Sequence, residues 1–280
     1  MPDERGDLIS LALAEDIGSG DVTCRWFTGP DRLARATIIA KQACCFAGCG
    51  VAAEVFRRLG VTVRETRADG AALQDRDPVL EVSGSASSIL TAERTALNFI
   101  QRLSGVATLA RTYVEAVVGT GAVILDTRKT TPGMRVMEKA AVAAGGATNH
   151  RTGLYDMVMV KDNHLAAGTS WSDIQAAIDL AKADRPELRI EIEADTLEQA
   201  DQFFAMRGVD VVLLDNMPLE WLRKAVRRRP AHIRLEASGG VTLQTVRAIA
   251  ETGVDFISVG ALTHSAPAAD FSLELAAKGG

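Results

Sequence analysis

Aromatic residues are scarce: Phe, Trp and Tyr make up 5% of the 280 residues, and only two are tyrosine. With alanine and valine plentiful, that favours helices packed on sheets over a recognition surface of stacked rings. Long apolar runs are missing too. None approaches the ~18 residues of a membrane span, and the opening MPDERGDLIS has neither the basic start nor the apolar core of a signal peptide. No membrane partner is expected, and the cytoplasm is the expected compartment. Nor is there a basic excess. Lys and Arg number 31 against 36 Asp and Glu, a net charge of −5, which argues against a general nucleic-acid binder with its broad cationic face. Cysteine is limited to Cys24, Cys44, Cys45 and Cys49, in a spacing that matches no common zinc site and with no histidine close by. Buried thiols in a reducing compartment are expected.

What is present divides near residue 115. Before it, LISLALAEDIG reads as an amphipathic helix, and ARATIIAKQ, VTVRETRADG and DPVLEVSG alternate like half-solvated strands. The stretch SSILTAERTALNFIQRLSGVATLARTYVEAVVG has helical spacing, with Gly105 as the expected break. After residue 122, short apolar runs close on polar residues or glycine: AVILDTRK, MVMVKDN, LRIEIEAD, VDVVLLDN, IRLEASGG and FISVGA. Helical stretches separate them, so a parallel sheet of doubly buried strands is expected. The polar residues sit at the carboxyl end of nearly every strand, as on the rim of a (β/α) barrel. An open doubly wound sheet would gather them at one switch point. About six units are legible against the eight of a full barrel, so the barrel is expected to be incomplete.

Four constellations carry chemistry. DTRKTTPGMR sets Thr127, Arg128, Lys129 and Arg135 after a buried strand. Arg offers a planar fork to carboxylate or phosphate and Lys a compact charge, so the cluster suits a small anionic ligand. The plain alternative is a solvated loop with surface ion pairs. GGATNHRTGLYDMVMVKDNH adds His150, Arg151 and Lys161. Lys161 alone admits three readings: a Schiff-base amine, a protonated anion ligand, or an ion-pair partner for Glu193 or Asp215. Glu193 and Asp215 end successive strands and suit Mg²⁺, which takes one or two carboxylates plus substrate phosphates. Glu191 faces the same side of its strand and is a second candidate. Those carboxylates could instead only balance the cations. Last, EASGGVT and SVGALTHS put Gly239, Gly240 and Gly260 between strands and helices, where exposed amides cradle phosphate in many barrels. Ordinary turn glycines are the plain reading.

Together with LAEDIGSGDVT and AERTALNFIQRLSGVAT, these stretches run nearly end to end and resemble the decarboxylating quinolinate phosphoribosyltransferase family. The resemblance implies an α/β fold. An N-terminal α/β sandwich domain would cover 1–114 and an incomplete (β/α) barrel-like domain with parallel strands 115–265, with 266–280 packing back on the first. It implies a homodimer with a shared active site, or a higher oligomer, with Arg94 reaching in from the neighbouring chain. Thr127, Arg128, Lys129, His150, Arg151 and Lys161 would hold quinolinate. Glu193 and Asp215 would bind the ribose hydroxyls and Mg²⁺ of phosphoribosyl pyrophosphate. Ser238, Gly239, Gly240, Val259, Gly260, Ala261 and His264 would take its phosphate end. Lys129, Lys161, Glu193 and Asp215 are the residues expected to carry the chemistry. The implied products are nicotinate mononucleotide, pyrophosphate and CO₂, in de novo NAD biosynthesis.

Ala147 stands where the family often has a third glycine, and CRWFTGPDR reads as an idiosyncratic surface loop. A branch associated with molybdate transport shares the RKT element, but it is expected to lose the KDNH lysine segment and alter NHR, both intact here. The rivals are a Schiff-base aldolase centred on Lys161, a non-catalytic phosphate-binding barrel, and a nicotinate-using sibling that would need fewer cations.

Overall fold

Residues 4–28, 32–161, 164 and 170–276 are described by the computed structural model. Asp162 and Asn163 of KDNH and residues 277–280 lie outside the described residues. The elements run α1 (Glu4–Ile17), α2 (Val22–Phe27), β1 (Leu33–Ala40), β2 (Cys44–Cys45), α3 (Cys49–Arg58), β3 (Thr62–Glu65), β4 (Ala72–Leu73), β5 (Pro78–Ser85) and α4 (Ala86–Ala116). Then come β6 (Val123–Leu125), α5 (Arg135–Ala144), β7 (Val158–Val160), α6 (Trp171–Asp184), β8 (Ile190–Ala194), α7 (Leu197–Phe204) and β9 (Val211–Asp215). The chain ends with α8 (Leu219–Arg228), β10 (Arg234–Ser238), α9 (Val246–Ala250), β11 (Phe256–Ser258), α10 (Ala261–His264) and β12 (Phe271–Leu275). They form two units. One comprises residues 1–111, 130–146 and 262–280, the other 112–129 and 147–261.

The first unit is built on a four-stranded antiparallel sheet in the order β12-β1-β5-β3. Ile38 of β1 pairs with Leu80 and Leu273 on either side and is fully buried. Helix α4 buries the stripe Ile89, Ala92, Ala96, Ile100, Leu103, Ala107 and Ala110, spaced three and four apart as an amphipathic helix requires. It runs unbroken through Gly105, against the expected break. A Cβ at Gly105 would lie 2.0 Å from the Pro267 carbonyl oxygen. The missing side chain admits a crossing backbone and does not end the helix.

The segment CRWFTGPDR also differs from the expected loop, because its first residues lie in α2. Asp21 caps that helix, Oδ1 accepting from the Cys24 amide at 2.8 Å. All four cysteines are buried and outside any disulfide. Burial, with smaller charge contributions, pushes Cys44 up to about 11 and Cys49 up to about 12.

In the second unit, six parallel strands follow the order β6-β11-β10-β9-β8-β7. Each of the six apolar runs in the sequence supplies one. β6 and β7 are the two edges, with Thr148 of the following loop bridged to Leu125 of β6, so the six strands form an open, incomplete barrel of the kind expected. Helices fill the connections. Ser170 and Thr196 each form a capping box that fixes where α6 and α7 begin. All five residues of β8 are buried, the alternating glutamates Glu191 and Glu193 as well as the apolar residues between them. Among the described residues, no helix is long and apolar enough to cross a membrane.

Candidate active site

Strand periodicity aims alternate residues into the barrel: Met159 and Lys161, Glu191 and Glu193, Leu213 and Asp215, Glu236 and Ser238. At the carboxyl end of the sheet they open onto a cleft of about 540 Å³. Its walls bring together Thr127, Arg128, Lys129, His150, Arg151, Lys161, Glu193, Asp215, Ser238, Gly239 and Gly240, from strand ends spread over more than a hundred residues.

One side is cationic. Arg151 is held by its guanidinium, with Nη1 near the Met157 carbonyl at 3.5 Å and Nη2 near the Met159 sulfur at 3.3 Å. Its Nε is buried with no hydrogen-bond partner among the described residues. Burial, and then the nearby Arg128 charge, lowers the Arg151 pKa. These are like charges packed together, a state that an anion between them would relieve. Lys161 Nζ donates to Glu193 Oε2 at 2.9 Å.

Beneath the cleft lies a buried trio. His150 Nε2 stands 3.2 Å from Glu191 Oε2 and 3.4 Å from Glu236 Oε2. Ser258 Oγ donates to Glu236 Oε1 at 2.5 Å, and the His150 amide donates to Asp126 Oδ1 at 2.7 Å. Burial opposes a charged ring, but hydrogen bonds to both glutamates and their charges raise the His150 pKa to about 9. The Arg151 amide also donates to Nδ1 at 2.7 Å, a contact that only a bare Nδ1 can accept. Two carboxylates outweigh one amide, so the direction is upward. Glu191 is raised as well, by burial above all, and its Oε1 has no hydrogen-bond partner among the described residues. Glu191 therefore serves the histidine and is not at the rim beside Glu193, where the sequence suggested a metal carboxylate. The trio's ligand atoms lie within 4.8 Å of one another, with the ring nitrogen at hydrogen-bonding distance from both carboxylates.

The opposite side is acidic and glycine-rich. Burial raises the Asp215 pKa, as do the charges of Glu193 and Asp195, while a hydrogen bond from Asn216 lowers it. Crowded hard oxygens fit Mg²⁺ as a partial shell that leaves positions for substrate oxygens. Gly239 and Gly240 have φ of +94° and +58°, a left-handed pair whose amides can face an anion. The next helix, α9, begins only at Val246, so the donors there are loop amides and not a helix end.

The remaining expected residues lie elsewhere. Val259 is buried, its amide donating to Leu125 O at 2.9 Å. Gly260 and Ala261 do not line the cleft. His264 belongs to the first unit, where Nδ1 meets Ser265 Oγ at 2.5 Å. Arg94 also belongs to that unit and is exposed on α4. Met159, Leu213, Asn216 and Ser258 line the cleft without having been singled out, and Glu236, expected only as a strand-end polar residue, lines it too. Period two would have flagged Glu236 and Ser258 as inward-facing, but nothing in the letters says that they meet.

A parallel barrel whose rim sets cations, carboxylates and a glycine turn around one cleft defines a class: barrels that bind small, multiply charged anions. The chain belongs to the quinolinate phosphoribosyl transferase family, whose N-terminal domain matches residues 21–104 and whose C-terminal domain matches 106–274. The probable nicotinate-nucleotide pyrophosphorylase (carboxylating) of Bacillus subtilis is 42% identical over 270 residues, covering 96% of this chain and 92% of that protein. The nicotinate-nucleotide pyrophosphorylase (carboxylating) of Mycobacterium leprae is 42% identical over 281 residues, 98% of each. The nicotinate-nucleotide pyrophosphorylase structure from Francisella tularensis superposes with a TM-score of 0.92 at 37% identity, over 98% of this chain and 96% of that one.

Proposed function

We propose that this chain transfers the phosphoribosyl group of phosphoribosyl pyrophosphate to quinolinate with decarboxylation, giving nicotinate mononucleotide, pyrophosphate and CO₂ in de novo NAD biosynthesis. One observation carries the reading. Arg128, Lys129, His150, Arg151 and Lys161 share a single cleft with Glu193, Asp215 and the Gly239–Gly240 turn. The cationic side suits a flat diacid, and the other side suits a sugar bearing phosphates.

In this reading Arg128, Lys129 and Arg151 grip the two carboxylates and hold the pyridine nitrogen against the anomeric carbon. Glu193 and Asp215 take the ribose hydroxyls, and their charge favours the cationic sugar that forms as pyrophosphate departs. They would also hold Mg²⁺, which when bound stabilises charge on the leaving pyrophosphate. The amides of Ser238, Gly239 and Gly240 face the phosphate end. N-ribosylation makes the ring nitrogen positive. Loss of the adjacent carboxylate as CO₂ then leaves a carbanion that this nitrogen stabilises, and a proton from water completes the C–H bond of nicotinate mononucleotide, so no strong base is required.

The active form in this proposal is a cytoplasmic homodimer in which Arg94 completes the partner's site. Its exposure on α4 is compatible with that role. Mixing Arg94→Ala with Arg128→Ala protomers should restore one working site per heterodimer, and no recovery would remove the shared site.

The test of function runs quinolinate and nicotinate in parallel and follows pyrophosphate release. Turnover should be strong with quinolinate and weak with nicotinate. Equal turnover would favour a single-carboxylate substrate. Borohydride trapping of a carbonyl compound on Lys161 would favour the aldolase reading, which its ion pair with Glu193 speaks against.

A further inference from the structure

Asn216 follows Asp215 at the end of β9. It is one of two non-glycine residues with positive φ among the described residues, at +50°. Asparagine tolerates that region better than most residues, yet such turns persist where the surroundings fix them. Three contacts do so here. The Asn216 amide N–H donates to the Ser238 carbonyl at 2.8 Å, tying the ends of β9 and β10. The side-chain Nδ2 turns back and donates to Asp215 Oδ2 at 2.6 Å. On the far side, a Cβ at Gly239 would lie 2.1 Å from Asn216 Oδ1 and 2.4 Å from its Cγ. Gly239 must lack a side chain for the Asn216 amide to stay where it is.

We propose that Asn216 is a positioning residue for the phosphoribosyl end of the site, holding the Asp215 carboxylate in place while seated against the Gly239 turn. This rests on the function proposed above, in which Asp215 meets the ribose and Gly239 the phosphate. One side chain thereby sets the spacing between the group that meets the sugar and the loop that meets the phosphate. The diacid side does not depend on it.

Three variants separate this role from that of a turn-former. Asn216→Gly keeps the left-handed backbone without the amide. Asn216→Ala loses both. Gly239→Ala keeps the amide but drives it off its seat and also strains the left-handed turn. Asn216→Gly should raise KM for phosphoribosyl pyrophosphate by about 10- to 100-fold, the size of one hydrogen bond to a charged group. Its Tm should shift by no more than about 4 °C, and quinolinate affinity by calorimetry, without the second substrate, should be unchanged. Gly239→Ala should show the same selective KM rise.

An unchanged KM in Asn216→Gly, with Asn216→Ala losing thermal stability, would overturn the inference and leave Asn216 as a turn residue. An equal loss of affinity for both substrates would overturn it as well. A parent protein that binds no phosphoribosyl pyrophosphate in calorimetry with Mg²⁺ would remove the functional reading and this inference with it. A normal parent with a silent Asn216→Gly removes the inference alone.

Discussion

Two buried charged clusters, one in each unit, are wired in opposite ways. In the first unit Glu138 Oε1 accepts from Arg102 Nε at 3.0 Å, Arg102 Nη2 at 2.7 Å and Thr131 Oγ1 at 2.7 Å. Its Oε2 accepts from the Thr131 amide at 3.0 Å, and Arg102 also donates to the carbonyls of Ala266 and Thr263. Both carboxylate oxygens are used. In the second unit Glu191 Oε1 and Arg151 Nε are buried without hydrogen-bond partners among the described residues, the histidine and Glu191 are pushed up, and Arg151 is pushed down. A saturated cluster ties chain segments together. An unsaturated one at the base of a cleft retains capacity for a ligand, which is where buried polar groups without partners and shifted pKa values tend to collect.

The contrast can be broken first at Arg151. Arg151→Ala should lower kcat/KM for quinolinate by about 10²- to 10³-fold, the cost of removing one partner from a buried charge pair. Its circular dichroism spectrum should remain that of the parent. Normal turnover would remove Arg151 from the diacid site.

Next in size is the difference in stability. Glu138→Ala strands the Arg102 guanidinium and should cost about 3–5 kcal/mol in urea unfolding. Glu191→Gln, at a carboxylate already pushed toward its neutral form, should cost about 1 kcal/mol or less. Equal costs would erase the distinction between the clusters.

A further effect is a pH slope. The His150 pKa is raised in the folded chain to about 9, against ~6.5 when unfolded. Its contribution to stability is therefore fully present below ~6.5 and lost as pH rises through about 9. Tm of the parent should fall across that window more steeply than Tm of His150→Gln. Parallel profiles would mean that the ring does not hold a proton there.

Much of this was legible in the letters because barrels write their chemistry at strand ends. LLD, IEIEA and RLEAS each place an inward polar residue one turn of the pleat from the rim, and the six runs became six strands. The sequence was less informative where one letter serves two purposes. Gly105 signals a break and a close approach equally well, and only the Pro267 carbonyl decides between them. Asp21 is a capping residue as well as a loop residue, which hid α2. Glu191 and Glu193 share a face, but depth along the strand separates a partner for histidine from a carboxylate at the rim. Asn216 was invisible for a related reason: its role lies in a backbone angle and in a cavity left by a glycine on another strand.

The central claim is that the cationic half of the cleft grips a diacid that loses one carboxylate. Quinolinate carrying ¹⁴C in the carboxyl group next to the ring nitrogen tests it, with phosphoribosyl pyrophosphate and Mg²⁺ present. Labelled CO₂ and nicotinate mononucleotide are expected in equal amounts from the parent, and both should form about 10²- to 10³-fold more slowly with Arg151→Ala at low quinolinate. Mononucleotide without CO₂, or no product from a correctly folded parent, would contradict it.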